Sequence, residues 1–150
     1  NNNVFHVSTY EPKVVKKMRT KSFSKKKTTS LIKDHRVPLI NLAYARSGDK
    51  GDHANIGVIA RRKEYFDFID SELCPPNISK FFIHVLEGDV LKWKLPGING
   101  INFLLKNSLG GGGMASLNVD PQGKAYAQQL LEYPIPVTKE LFDILKEKQQ

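Results

Sequence analysis

Residues 39–60 read LINLAYARSGDKGDHANIGVIA, and the way this stretch divides decides the fold. Leu39 to Ala45 and Ile56 to Ala60 are rich in aliphatic and β-branched residues, the composition of strands. Between them Ser47, Gly48, Asp49, Lys50, Gly51 and Asp52 combine two glycines, which tolerate positive φ, with two aspartates that accept hydrogen bonds from nearby backbone N–H groups. The connection is shorter than the dozen or more residues of a parallel crossover, so the strands are expected to pair antiparallel as a hairpin. A plain hairpin needs only an Asn-Gly or Asp-Gly pair. This one also carries Arg46, Asp49, Lys50, Asp52, His53 and Asn55, an excess of polar groups that reads equally well as a ligand site or as turn caps beside solvated cations.

A second segment, Gly110, Gly111, Gly112 and Gly113, shifts the balance towards a site, because four consecutive glycines are entropically costly unless the backbone must approach something closely. The two glycine-dense segments are expected to lie against each other. Arg46, Lys50, His53 and Asn55, with the backbone N–H groups of Gly110 to Gly113, would then surround a phosphate or carboxylate. Asp49 and Asp52 fit such a site only if they pair with the cations.

Three blocks, LAYARSGDKGDHANIGVIAR, LPGINGINFLLKNSLGGGGMASL and DPQGKAYAQQLL, resemble the AtuA-like (acyclic terpene utilisation) ferredoxin-fold domain family, from about Val37 to Leu131. That family's domain occurs as the C-terminal part of larger proteins or as a small separate chain. The resemblance implies a ferredoxin-like fold and an association with acyl-CoA and terpenoid breakdown. It brings no catalytic mechanism. Ser47, Asp49, Lys50, Asp52, Asn55 and the glycines carry over as motif positions without assigned roles.

Charge is unevenly placed along the 150 residues. Residues 1–36 hold ten Lys/Arg against Glu11 and Asp34, a surplus of eight, and this is the whole of the chain's formal +8. Residues 37–150 balance. The first segment contains no glycine and no sustained apolar period, so it reads as an extended basic arm that cannot fold alone. Lys13, Lys16, Lys17, Arg19, Lys21, Lys25, Lys26 and Lys27 are its candidate partner-binding residues, suited to acidic protein, nucleic acid or anionic lipid headgroups. Aromatic interleaving is thin, so single-strand stacking is not indicated. The basic, acid-poor composition of Lys13 to Arg36 partly fits a mitochondrial presequence.

Beyond the hairpin, Glu64 to Leu73 has helical spacing and ends at Pro75 and Pro76. Asn77 is placed to cap a second helix carrying Ile78, Phe81, Phe82, Val85 and Leu86, with Gly88 just past its end and His84 on its other face. Val90 to Leu95 alternates Leu91, Trp93 and Leu95 with Lys92 and Lys94, so a strand is expected with Trp93 in the core or at its edge. Ile98 to Leu109 reads as a helix, with a strand as the alternative, and Met114 to Val119 as a strand. Asp120 and Pro121 open a helix over Gln122 to Leu131. Tyr133 to Val137, broken by two prolines, suits only an edge strand, and Thr138 caps a last helix. The sum is an α+β, ferredoxin-like sandwich: a mostly antiparallel sheet of at least four strands with helices on one face, residues 37–150, preceded by the basic arm, residues 1–36.

Cys74 is the only cysteine, which excludes an intrachain disulfide; a buried structural thiol is expected. No apolar run approaches the roughly 18 residues of a membrane span. His6, His35, His53 and His84 are scattered, and the GxSxG, Walker A and dinucleotide patterns are missing, so no metal, cofactor or catalytic residue is expected. The functional expectation is a non-catalytic accessory or structural subunit of a larger mitochondrial assembly, with other protein subunits as partners. The alternatives are a small component of an enzyme of acyl-CoA or terpenoid catabolism, or a nucleic-acid-binding protein, with a cytoplasmic location if not a mitochondrial one.

Overall fold

The computed structural model describes residues 33–147. The basic residues Lys13 to Lys27, and the extended arm to which they were assigned as far as Ile32, lie outside the described residues. Strand β1 (His35–Pro38) is followed by a 3-10 turn over Leu39–Asn41, then by β2 (Ala43–Lys50) and β3 (His53–Ala60). Helices α1 (Phe66–Glu72) and α2 (Pro75–Phe81) precede β4 (Val90–Leu95) and β5 (Gly100–Leu105). Helix α3 (Tyr126–Leu131), β6 (Pro134–Val137) and α4 (Lys139–Glu147) complete the order. No helix among the described residues is long and apolar enough to cross a membrane.

The expected hairpin forms, but it is longer and its turn tighter than the composition implied. β2 and β3 pair antiparallel from Ala43↔Ala60 to Lys50↔His53, so Ser47 to Lys50 are strand rather than loop. Only Gly51 and Asp52 are left to turn the chain, and Gly51 does so at φ 70°, the positive φ that a two-residue turn requires. Leu39 to Asn41, expected in the first strand, instead wind into the 3-10 turn because the Leu42 N–H closes back on the Leu39 carbonyl at 2.8 Å.

Four strands form an all-antiparallel sheet in the order β2-β3-β5-β4. Period-two alternation sends Ile56, Val58, Ile101, Phe103 and Leu105 to the inner face, where they meet Ile69, Leu73, Ile78, Phe82, Tyr126 and Leu130 in one buried cluster. Phe82 and Phe103 are fully buried, and truncation of either to alanine would cost about 3–5 kcal/mol. Among the described residues nothing covers the outer face. β1 and β6 form a separate two-stranded ribbon with Val37 opposite Ile135, a short pairing that tolerates the prolines at the first and third positions of β6. β1 therefore starts at His35, two residues inside the stretch read as arm, and the His35 ring stacks on Phe142 of α4 at 4.6 Å.

Five further expectations are corrected. Ile98 to Leu109 is not a helix: Gly100–Leu105 is a central strand bonded on both sides, to β3 and to β4. Trp93 is not a core residue. Lys92 takes the inner position, with its ammonium held by the Asp70 carboxylate at 2.9 Å and the Asp70 carbonyl at 2.8 Å, which leaves Leu91, Trp93 and Leu95 on the open face. A lysine suits that half-buried edge because its aliphatic stem packs while its head finds α1. Met114 to Val119 forms turns and bends, and among the described residues it pairs with no strand of either sheet. α2 begins at Pro75 rather than after Asn77, whose side-chain amide donates instead to the Glu72 carbonyl, and it ends at Phe81, short of Leu86. α3 starts at Tyr126, four residues late, because Gly123 at φ 60° breaks the helical path and the Asp120 carboxylate accepts from Lys124 N and Ala125 N.

Candidate functional site

The two glycine-dense segments do meet. The Asp52 carbonyl accepts from the N–H groups of Ser108 (3.0 Å) and Leu109 (3.2 Å), and the Asp52 carboxylate accepts from Gly111 N at 2.6 Å. Gly112 lies so close to the turn that a Cβ there would run into the Gly51 carbonyl, and its own φ is 69°. Only glycine permits that approach. His53 Nδ1 accepts from Asn107 N at 3.0 Å, which ties the other side of the turn to the same segment.

Beneath this contact lies Ser108, fully buried, whose hydroxyl donates to the Leu105 carbonyl (3.0 Å) and accepts from Ala54 N (3.2 Å). The Tyr126 hydroxyl donates to the Ser108 carbonyl at 2.7 Å. Burial, with the Asp120 charge adding to it, pushes the Tyr126 phenol above its ordinary pKa and keeps it a donor. The glycine loop is therefore bonded inward. Its Gly111 N–H is taken by Asp52 and its Gly112 N–H by the Leu109 carbonyl at 3.2 Å.

That bonding divides the residues that the sequence placed in one site. Asp52 and His53, with Gly111 and Gly112 of the run Gly110 to Gly113, hold the two loops together. Arg46, Ser47, Asp49, Lys50 and Asn55 line a different feature, an open hollow of about 440 Å³ on the β2–β3 side of the sheet, whose floor includes Gly48 and Gly57. Within it, Ser47 is a structural member: its buried hydroxyl donates to the Lys124 carbonyl at 3.1 Å and accepts from Ala127 N at 2.9 Å. Asn55 donates to Asn102 Oδ1 (2.8 Å) and to the Phe103 carbonyl (3.0 Å), which fixes its amide across β3 and β5.

Lys124 also lines the hollow and was missed, although it sits in the DPQGK block; there Asp120 and Gly123 shape the turn that carries it. Its ammonium is 3.6 Å from the Asp49 carboxylate, an exposed and weak pairing. Among the described residues neither Arg46 nor Lys50 has a carboxylate partner. Three cations thus surround the space against one anion, a balance that favours an anionic guest. No group of three or more His, Cys, Asp or Glu side chains that could hold a metal occurs among the described residues. Cys74 is a half-buried free thiol.

An antiparallel sheet covered by helices on one face, with a hairpin turn clasped by a run of left-handed glycines, defines an α+β domain of the ferredoxin-like type. The family model of the AtuA ferredoxin-like domain matches residues 37–136, and the chain belongs to that family. No curated protein and no solved structure matches the chain.

Proposed function

We propose that this AtuA-type domain is a non-catalytic accessory or structural subunit of a larger, mitochondrial assembly, bound to another protein subunit through the loop between Gly113 and Asp120. The observation that carries the reading is the exposure of that loop's apolar side chains: Met114, Leu117 and Val119 are all fully exposed. Three such side chains within six residues form a hydrophobic projection of the kind that anchors protein contacts. The loop is also held in place. Gly111 is tied to Asp52 at one end, Ala115 N donates to the Gly112 carbonyl at 3.0 Å, and Asp120 fixes the other end through Lys124 and Ala125. Preorganisation lowers the entropy lost on docking.

The basic residues Lys13 to Lys27 would add an electrostatic contact with an anionic surface, and the acid-poor composition of that segment supports the mitochondrial location. The test is the native mass of the complex purified under mild conditions from its source, for the natural chain and for the triple variant Met114→Ser, Leu117→Ser, Val119→Ser. The natural chain is expected in a particle much larger than itself. The variant is expected to keep its melting temperature and to leave that particle. A natural chain that migrates alone, or a variant that stays bound, would overturn the reading.

A further inference from the structure

The open face of the four-stranded sheet carries a second feature, unrelated to the 114–119 loop. Next to the cationic hollow runs an apolar groove of about 220 Å³ lined by Tyr44, Ile59, Leu95 and Ile98, and the two share Arg46 and Gly57. Register explains the adjacency. Arg46 stands opposite Gly57, and Tyr44 opposite Ile59, one pleat further along the same face. Ile59 and Leu95 then flank Gly100 from either side. Tyr44, Ile59, Leu95 and Ile98 are all exposed. A polar, positively charged compartment therefore opens directly into an apolar one.

Gly48 and Gly57 form the floor, and the fold does not require either to be glycine. Neither has a positive φ. A Cβ on Gly57 would meet nothing nearer than the Arg46 carbonyl at 4.0 Å, and one on Gly48 only the mobile end of Lys124 at 3.1 Å. Glycine inside a strand weakens it, and where no turn or packing contact accounts for it, close approach of a ligand does.

We propose that this face binds a small amphiphilic anion, a single aliphatic chain with a carboxylate or phosphate head. The head sits among Arg46, Lys50 and Lys124 over the bare backbone of Gly48 and Gly57. The chain runs along Tyr44, Ile59 and Leu95. From Ile59 on β3 across Gly100 to Leu95 on β4 is two inter-strand spacings, about 10 Å, which suits a chain of about eight carbons. Three cations against Asp49 alone supply the charge complementarity. A bilayer surface fits less well, because the glycine floor is recessed and the headgroup compartment lies beside the apolar groove rather than around a protruding apolar patch.

The experiment uses the full chain, with Trp93 as reporter. It is the only tryptophan, and it lies on the same face in register with Asn102 and, through it, Gly57. Octyl phosphate and octanoate, both below their micellar concentrations, are titrated by fluorescence and calorimetry alongside inorganic phosphate and octanol. At least one octyl anion is expected to bind saturably at one site, at least ten-fold more tightly than either inorganic phosphate or octanol, and the preference between the two identifies the head. Gly57→Val, with Gly57→Ala as the smaller change, is expected to reduce that affinity at least ten-fold without lowering the melting temperature. Arg46→Gln is expected to weaken the anions and leave octanol unchanged. The proposal is overturned if neither anion saturates, if octanol binds as well as the anions, if folded Gly57→Ala and Gly57→Val bind like the natural chain, or if only anionic vesicles bind.

Discussion

Ser47→Ala separates the structural members of the SGDKGD motif from those that face the hollow. The Ser47 hydroxyl stands on the inner face of β2 and reaches the start of α3, where it accepts from Ala127 N at 2.9 Å and donates to the Lys124 carbonyl at 3.1 Å. Ala127 is in the first turn of α3, its N–H is one of the orphan donors of a helix start, and no side chain of the preceding residues caps that helix. A strand residue eighty positions away in sequence therefore does the work of an N-cap. Alanine at this position leaves a buried donor and a carbonyl without partners. One buried unsatisfied group costs about 1–3 kcal/mol, and loss of a cap alone about 1 kcal/mol, so a total near 2 kcal/mol is expected. For a domain of this size that lowers the melting midpoint by roughly 8 °C. Urea unfolding of the full chain should show a lower midpoint at unchanged slope. Arg46→Ala, one residue away on the exposed face, should cost no more than about 0.5 kcal/mol. A Ser47→Ala loss below that same figure would refute the assignment of Ser47 to the scaffold.

The glycine clasp makes a paired prediction. Gly113→Ala, with φ 48° and open space around its Cβ, should cost about 1 kcal/mol of left-handed strain, whereas Gly112→Ala should cost about 2 kcal/mol more because the Gly51 carbonyl must move. Equal losses in thermal unfolding would mean that the two loops do not need their close contact. Acid titration tests Asp70: burial alone would raise its pKa, but Lys94 and Lys92 outweigh it and hold the carboxyl below its ordinary value. A depressed folded pKa gives stability that is present above the unfolded value of about 4 and is lost as the pH falls through the folded one. Asp70→Asn should flatten that part of the curve of melting temperature against pH, modestly because the Lys94 side chain is mostly exposed. An unchanged acid limb would show that Asp70 does not contribute to it.

Local signals were legible wherever local physics decides. The β2–β3 hairpin, the end of α1 before Pro75 and Pro76, the edge character of Pro134–Val137 and the Thr138 cap, whose hydroxyl accepts from Leu141 N at 3.4 Å, all follow from neighbours in sequence. Non-local pairing decided the failures. Ile101, Leu104, Leu105 and Leu109 have helical spacing, yet Ile101, Phe103 and Leu105 also alternate, and two strands offering hydrogen bonds on either side settle the choice. Asn99 and Asn107, both left-handed at φ 49°, mark the ends of that strand and were the available clue. Parity failed at β4 because hydrophobicity alone puts Trp93 inside, whereas Asp70 on α1 makes the inner position favourable for Lys92.

The site was legible as a set of residues and illegible as a division of labour, and the reason is the pleat. Successive residues of a strand face opposite ways, so Arg46, Ser47 and Gly48 cannot share one role, however tightly they cluster in sequence. Ser47 turns inward to α3, while Arg46 and Gly48 turn outward to the hollow. At the turn, Asp52 and His53 serve neither face and bond sideways to residues 107–111. The length of β2 was therefore the missing quantity. Once the strand is known to run to Lys50, alternation puts Arg46, Gly48 and Lys50 on the outward side, and Lys124 joins them at the hollow from the turn before α3.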